Sequence, residues 1–190
     1  CLHPGRQICP PVSAAYFHAD CSDTILWAQA SYDSGSLFNK DFGYALQWVV
    51  DKKNNMLYGY GNTTKDRDVE GNRHRVIKFR LPSLEDSDEN GLVVLKPEDA
   101  LENYLIEDYG FAFATIGQGL YIWKDVLYMP TGFGGKEFPS YLFCWNLKKK
   151  KMEKVLDLSE ATYGELEDIG RWKNSFIIIG VEGAFTIKGI

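Results

Sequence analysis

Gln118-Gly-Leu-Tyr-Ile-Trp-Lys-Asp-Val-Leu-Tyr128 reads as a short apolar strand, a polar turn and a second apolar strand. The same pattern occurs twice more. Upstream stands Gln47-Trp-Val-Val-Asp-Lys-Lys-Asn-Asn-Met-Leu-Tyr58, and downstream Glu167-Asp-Ile-Gly-Arg-Trp-Lys-Asn-Ser-Phe-Ile177. Each copy opens on a polar residue, Gln47, Gln118 or Glu167, and its second strand runs on to a glycine. A strand–turn–strand unit that recurs every ~40–50 residues is the mark of a propeller or another radial β array, since one unit cannot cover its own apolar faces. The expected fold is all-β, a propeller or partial propeller of about three to four blades of antiparallel sheet.

Outward from the repeats, the pattern extends in both directions. Tyr44 to Val50, a turn at Asp51 to Asn55, and Met56 to Tyr60 make the first unit, and His74 to Leu81 adds a strand that Pro82 closes, because proline cannot continue a ladder. Gly91 to Leu95 is a short strand, and Pro97 onward fits one or two helical turns; the rest of Asp99 to Gly110 has no strand pattern. The second unit has strands near Phe113–Gly117, Leu120–Trp123 and Val126–Pro130, a glycine-rich connection, Tyr141–Leu147, a basic turn, and Met152–Leu158. The last unit gives Leu166–Arg171, Ser175–Gly180 and Ala184–Lys188, then stops after three strands. An N-terminal strand would protect the open edge this leaves, and Ala14 to Phe17 is a candidate. Ala14 to Phe17 and Thr24 to Ala30 also read as two strands joined by a turn. Residues 1–13, with three of the seven prolines, read as an irregular arm, and 14–190 as a single domain.

Composition narrows the function classes. The net charge is −5 and no basic face is evident beyond Lys148 to Lys151, which argues against a nucleic-acid partner. No apolar run approaches the ~18 residues of a membrane span. The four cysteines, at 1, 9, 21 and 144, match no zinc-ligand spacing. Either they form one or two disulfides that pin the N-terminal segment, implying an oxidising compartment, or they are buried free thiols. A chain that begins at Cys1 fits a mature lipoprotein, a trimmed chain or a fragment. Leu-His-Pro-Gly-Arg-Gln-Ile after it lacks a Ser/Gly/Asp-rich tether, which favours the fragment.

Gly164-Glu-Leu-Glu-Asp-Ile-Gly-Arg-Trp-Lys-Asn-Ser-Phe-Ile-Ile-Ile-Gly-Val-Glu-Gly-Ala-Phe-Thr-Ile resembles the terminal blade of secreted propellers of the TolB-like, NHL and gluconolactonase-like superfamily. The usual run there is Glu-Pro-Glu-Gly-Ile, a turn, Leu-Tyr-Val-Gly, a glycine turn and an apolar strand. Glu165 and Glu167 stand at its acidic positions, while Leu166 replaces the proline and Asp168 the glycine. The second unit, from Ile116-Gly-Gln-Gly-Leu-Tyr, is similar to the Ile-Gln-Gly form of the same repeat. The resemblance covers roughly residues 44–190 and concerns architecture rather than a catalytic signature. It implies a secreted, periplasmic or cell-surface setting. It also implies that the first strand of each blade lines a central channel, with Gln47, Gln118 and Glu167 near one mouth. In lactonase-type relatives such positions hold calcium or zinc, which here would fall to Glu165, Glu167 and Asp168.

Few other motifs carry chemistry. Asp66-Arg-Asp-Val-Glu-Gly71 opens like a calcium loop, but Ile77 stands where the bidentate Glu belongs. Asn62-Thr-Thr64 is a formal glycosylation sequon. His3, His18 and His74 are scattered, and no nucleophile elbow, zinc-protease or Walker motif is present. Thr131-Gly-Phe-Gly-Gly135 joins two strands and lacks the helix N-terminus of a phosphate cradle. Aromatic residues near strand ends, Tyr32, Phe38, Phe42, Tyr109, Phe111, Phe133 and Phe138, are candidates for stacking on a sugar or gripping a peptide.

The expected function is a noncatalytic secreted or cell-envelope module that binds a glycan, peptide or protein partner through its loop face, without a cofactor. Gln47, Gln118, Tyr109, Phe111 and Phe133 are its candidate ligand-binding residues. The alternative is a divalent-metal-dependent lactonase-type hydrolase with calcium or zinc at Glu165, Glu167 and Asp168. Membership of a larger chain or assembly is compatible with either.

Overall fold

The segment Met56–Asn62 has no side to turn toward water. Leu57, Tyr58 and Tyr60 are all buried although they alternate between opposite faces of the sheet. Such a strand is stable only with apolar neighbours on both faces, and the computed structural model supplies them. It describes residues 14–18, 25–30, 38–39, 42–64, 72–89, 91–107, 117–134 and 139–190.

The described chain opens with an antiparallel hairpin of β1 (Ala14–His18) and β2 (Ile25–Ala30). β3 (Phe38–Asn39), β4 (Gly43–Asp51), β5 (Met56–Asn62) and β6 (His74–Arg80) then form an antiparallel meander. β7 (Leu92–Leu95) leaves it to lie parallel to β2, and β8 (Glu102–Ile106) returns to the edge of β6. A second, four-stranded meander holds β9 (Tyr121–Trp123), β10 (Val126–Thr131), β11 (Tyr141–Asn146) and β12 (Lys151–Asp157). The third contains β13 (Leu166–Trp172), β14 (Ser175–Gly180) and β15 (Gly183–Ile187). The fold is all-β. The excursion through β7 and β8 explains why the first two repeats stand further apart in sequence than the second and third.

These sheets stack in chain order, and the alternation of side chains sorts them into three cores. Leu57, Ile77 and Phe79 face Val93 and Leu95 of β7, with Phe42 against Phe79 at 5.9 Å between ring centroids. On the other side of the same sheet, Tyr58, Tyr60 and Val76 meet Leu127, Met129, Phe143 and Trp145 of the second meander. The second meander's opposite face, Val126, Tyr128, Leu142 and Cys144, packs on Leu166, Ile169, Phe176 and Ile178 of the third. Each fully buried aliphatic or aromatic side chain of this kind contributes about 1.5–3 kcal/mol. Cys144 is a buried free thiol, its pKa pushed up to about 12 mainly by that burial, so it behaves as one more apolar side chain. Among the described residues the stack is an open series, with no closed barrel or ring.

Two expectations are corrected. Ala14–His18 pairs with Ile25–Ala30 and not with the third meander, which keeps three strands. Residues 102–106 form a strand where no pattern announced one. As an edge strand it exposes Leu105 and buries Ile106, and it borrows its register from β6 through the Lys78–Glu102 pair. The first strand expected in the second unit, Phe113–Gly117, lies outside the described residues except for Gly117, which bridges to Thr131.

One irregularity recurs in all three meanders. β4 gains a residue on β5 between Tyr44 and Gln47, and β13 gains one on β14 between Leu166 and Asp168. In the second meander the chain gains one between the Gly117–Thr131 bridge and the Tyr121–Tyr128 pair. The three bulges coincide with the three polar repeat residues, Gln47, Gln118 and Glu167. A bulge bends the strand and re-aims its side chains, which is why bulges gather at rims and sites.

Candidate functional site

The stack has two ends. At one, the hairpin end, β4 turns into β5, β9 into β10, β11 into β12 and β13 into β14. At the other, the loop end, lie the bulges, the connection from β14 to β15 and the longer connections after β5, β8, β10 and β12. Connections carried on a rigid scaffold are where binding residues collect, and most of the sequence-derived candidates fall here.

Beneath the loop end is a buried polar cluster that ties the first two meanders together. The Gly117 N–H donates to Asn62 Oδ1 at 2.9 Å, and the Tyr60 hydroxyl and His74 Nε2 are 3.1 Å apart. The His74 ring meets Tyr60 and Phe143 edge-on, with centroids 4.6 and 5.4 Å away. All of these side chains are fully buried, and burial drives the Tyr60 pKa well above its ordinary value. Position 117 must be glycine, because a Cβ there would lie 2.3 Å from the Tyr60 ring. The cluster is structural, closed to any ligand. It also accounts for Asn62 of the sequon: its side chain is fully buried, with no room for a glycan in the folded protein.

Above it, the second and third meanders join through their repeat residues. Gln118 Nε2 donates to Glu165 Oε1, and Gly119 packs so closely on β13 that a Cβ would stand 2.9 Å from the Asp168 Cα. Asp168 Oδ1 accepts from the Ile169 amide at 2.7 Å. Although much of its surface stays in water, loss of hydration raises the Asp168 pKa, and the Ile169 hydrogen bond opposes that rise less strongly. Glu167 is exposed, and Gln47 is half-buried on β4 opposite Tyr60. The structure therefore brings Gln118 to Glu165, and the neighbouring Gly119 to Asp168. Among the described residues, however, no three His, Cys, Asp or Glu side chains are grouped so as to hold a metal ion, Glu165, Glu167 and Asp168 included.

Phe133 is half-buried between Gly132 and Gly134, whose φ angles of 93° and 84° only glycine adopts easily. Gly134 seats this connection on the one before β13, for a Cβ there would lie 2.5 Å from the Tyr163 and Gly164 backbone. Phe42, a candidate for ligand contact, is instead fully buried core. Tyr109 and Phe111 lie outside the described residues, as does the Asp66–Gly71 run. Sequence reading passed over Tyr163, whose side chain is 77% exposed beside Phe133's connection. Its backbone N–H is held by Glu182 Oε2 at 3.1 Å. The signal was there: an aromatic near a predicted strand end, the same criterion that selected Phe133.

No known family model matches this chain, and no curated protein matches it in sequence. The geometry stands alone.

Proposed function

We propose that the chain is a noncatalytic binding module of the propeller class, working outside the cytoplasm, whose loop end takes a peptide or protein segment rich in basic residues. The support for the propeller class is the succession of three meanders, each with an extra residue where its polar repeat residue stands. The extracytoplasmic setting rests on the resemblance of those repeats to secreted propellers. One observation carries the binding reading: Gln118 meets Glu165 at the junction of the second and third meanders, where Gly119 packs on Asp168, on the rim that also holds exposed Tyr163.

The chemistry of that rim selects the partner. Glu160, Glu167, Asp168 and Glu182 are exposed carboxylates, and half-buried Glu165 stands beside Gln118. Fixed acidic groups attract cationic side chains and steer their approach. Tyr163 adds a flat amphipathic ring, the kind of group that anchors peptide contacts.

The test is titration of the purified chain with a library of lysine- and arginine-bearing peptides, alongside acidic and neutral controls. Selective binding of basic peptides is expected, weakened by salt and by the pair Glu167→Gln with Tyr163→Ala. Equal binding of acidic peptides, or none by basic ones, would sink the reading.

A further inference from the structure

At the opposite, hairpin end, a cleft of about 590 Å³ opens between the first and second meanders. That volume falls within the roughly 300–1,000 Å³ of small-molecule sites. Its inner wall is Tyr58, which is only 6% exposed. Among the described residues no protein group hydrogen-bonds the Tyr58 hydroxyl, and its oxygen is not sealed from solvent, so it is open to the cleft. The nearby Tyr104 hydroxyl accepts from Trp145 Nε1 at 3.0 Å, which leaves its own hydrogen to donate. Two phenols thus present hydrogen-bonding capacity to the same space.

Every charged group lining the cleft is paired, three ammoniums on two carboxylates. Glu102 Oε1 meets Lys78 Nζ at 3.1 Å and its Oε2 meets Lys150 Nζ at 2.9 Å, while Asp125 Oδ2 meets Lys148 Nζ at 2.7 Å. A cationic guest would meet the excess of one positive charge, and an anionic guest would have to compete with Glu102 and Asp125 for their ammoniums. A neutral guest bearing hydroxyls need displace nothing, because each ammonium keeps spare donors and each carboxylate spare lone pairs. Asn54 also lines the cleft, and Met56, Val76 and Leu147 add an apolar surface suited to the C–H face of a sugar ring. The ring faces of the tyrosines are less available: the Lys150 ammonium lies 4.8 Å from the Tyr104 centroid and that of Lys78 lies 5.9 Å from Tyr58's. It is their hydroxyls that are offered.

We infer that this cleft is a binding site for a neutral saccharide, a hexose or a short uncharged oligosaccharide, with the Tyr58 hydroxyl and the Glu102 carboxylate as its central hydrogen-bonding groups. The site is separate from the loop end and stands or falls independently of the peptide reading.

Calorimetric titration with neutral gluco-, galacto- and manno-configured oligosaccharides, and with uronic-acid counterparts, tests it. At least one neutral sugar should bind, insensitively to salt, with the acidic counterparts weaker. Tyr58→Phe removes a single oxygen and should weaken that binding about tenfold with the melting temperature unchanged. Glu102→Gln, at a partly exposed position, should weaken it as well. Failure of every neutral sugar, tighter and salt-sensitive binding of the acidic ones, or full affinity in folded Tyr58→Phe would each overturn the assignment.

Discussion

At the hairpin end of the stack, charged groups stay at the surface and pair with one another; the loop end buries a polar cluster beneath exposed carboxylates. The turns of the hairpin end carry Lys52, Lys53, Lys124, Lys148, Lys149, Lys150 and Lys173, and several of these reach carboxylates on neighbouring turns or strands. Trp123 and Val126 are joined through Lys124 and Asp125, both with positive φ as a two-residue type I′ turn requires. The loop end instead buries Asn62, His74 and Thr131 and exposes carboxylates. The difference teaches where each end keeps its energy. Exposed ion pairs are worth about 0–1 kcal/mol, whereas a buried hydrogen-bonded group left without its partner costs about 1–3 kcal/mol. The loop end should therefore be the sensitive end, and the hairpin end the tolerant one.

Substitutions under the loop end should have the largest effects. Phe143→Ala removes the ring against His74 and empties the core between the first two meanders, which should cost about 3–5 kcal/mol in chemical denaturation. Gly117→Ala forces a methyl into the Tyr60 ring and disturbs the Asn62 hydrogen bond, and about 1–3 kcal/mol of destabilisation is expected. Should Gly117→Ala unfold no more readily than the parent, the buried cluster is not what ties the two meanders together.

Glu102 and Asp168 offer a finer comparison, because their titrations run in opposite directions. Burial alone would raise the Glu102 pKa, but hydrogen bonds from Lys150 and Lys78 outweigh it and hold the carboxyl below its usual range. Its contribution to stability is present above the unfolded-state value of about 4.3 and is lost as pH falls through the lowered folded value. Asp168 is raised by desolvation, so its contribution is greatest below the unfolded value of about 3.9 and is lost as pH rises through the folded one. At neutral pH, Glu102→Gln should lower stability by less than about 1 kcal/mol. Asp168→Asn should leave it equal or raise it by up to ~0.5 kcal/mol. Melting curves at pH 3 and pH 7 should show the difference between Glu102→Gln and the parent shrinking in acid. Equal shifts of the same sign from both variants would contradict the assigned environments.

The smallest effect concerns metal. Calcium, zinc and EDTA should leave the melting midpoint unmoved, since the described carboxylates do not converge. An ion that binds only the native state, at one hundred times its dissociation constant, adds about 2.7 kcal/mol. A shift of that size would restore the lactonase-type reading.

Much of the fold was legible because the repeat residues mark strand boundaries. The pairings Asp51–Met56, Trp123–Val126 and Trp172–Ser175 fall where the polar turns stand in the sequence. β8 was not legible, since an edge strand exposes alternate residues and its five-residue pattern resembles a loop. The parallel pairing of β7 with β2 was hidden for another reason: an apolar run such as Leu-Val-Val-Leu does not say which sheet it joins. At the candidate site the acidic and amide residues were readable from the repeat, but Phe42 was misassigned because ring burial depends on what arrives from β6.

By itself the sequence determined that this protein is built of β-strands and that its strand–turn–strand units repeat, because alternation, turn chemistry and repetition are local properties. Only the tertiary structure decided that Gln118 meets Glu165 and that the Tyr58 hydroxyl opens on a cleft lined by paired charges. Those facts depend on which faces of which sheets are pressed together, and residues far apart in the chain, 47 positions in the case of Gln118 and Glu165, acquire that relation only when the chain has folded.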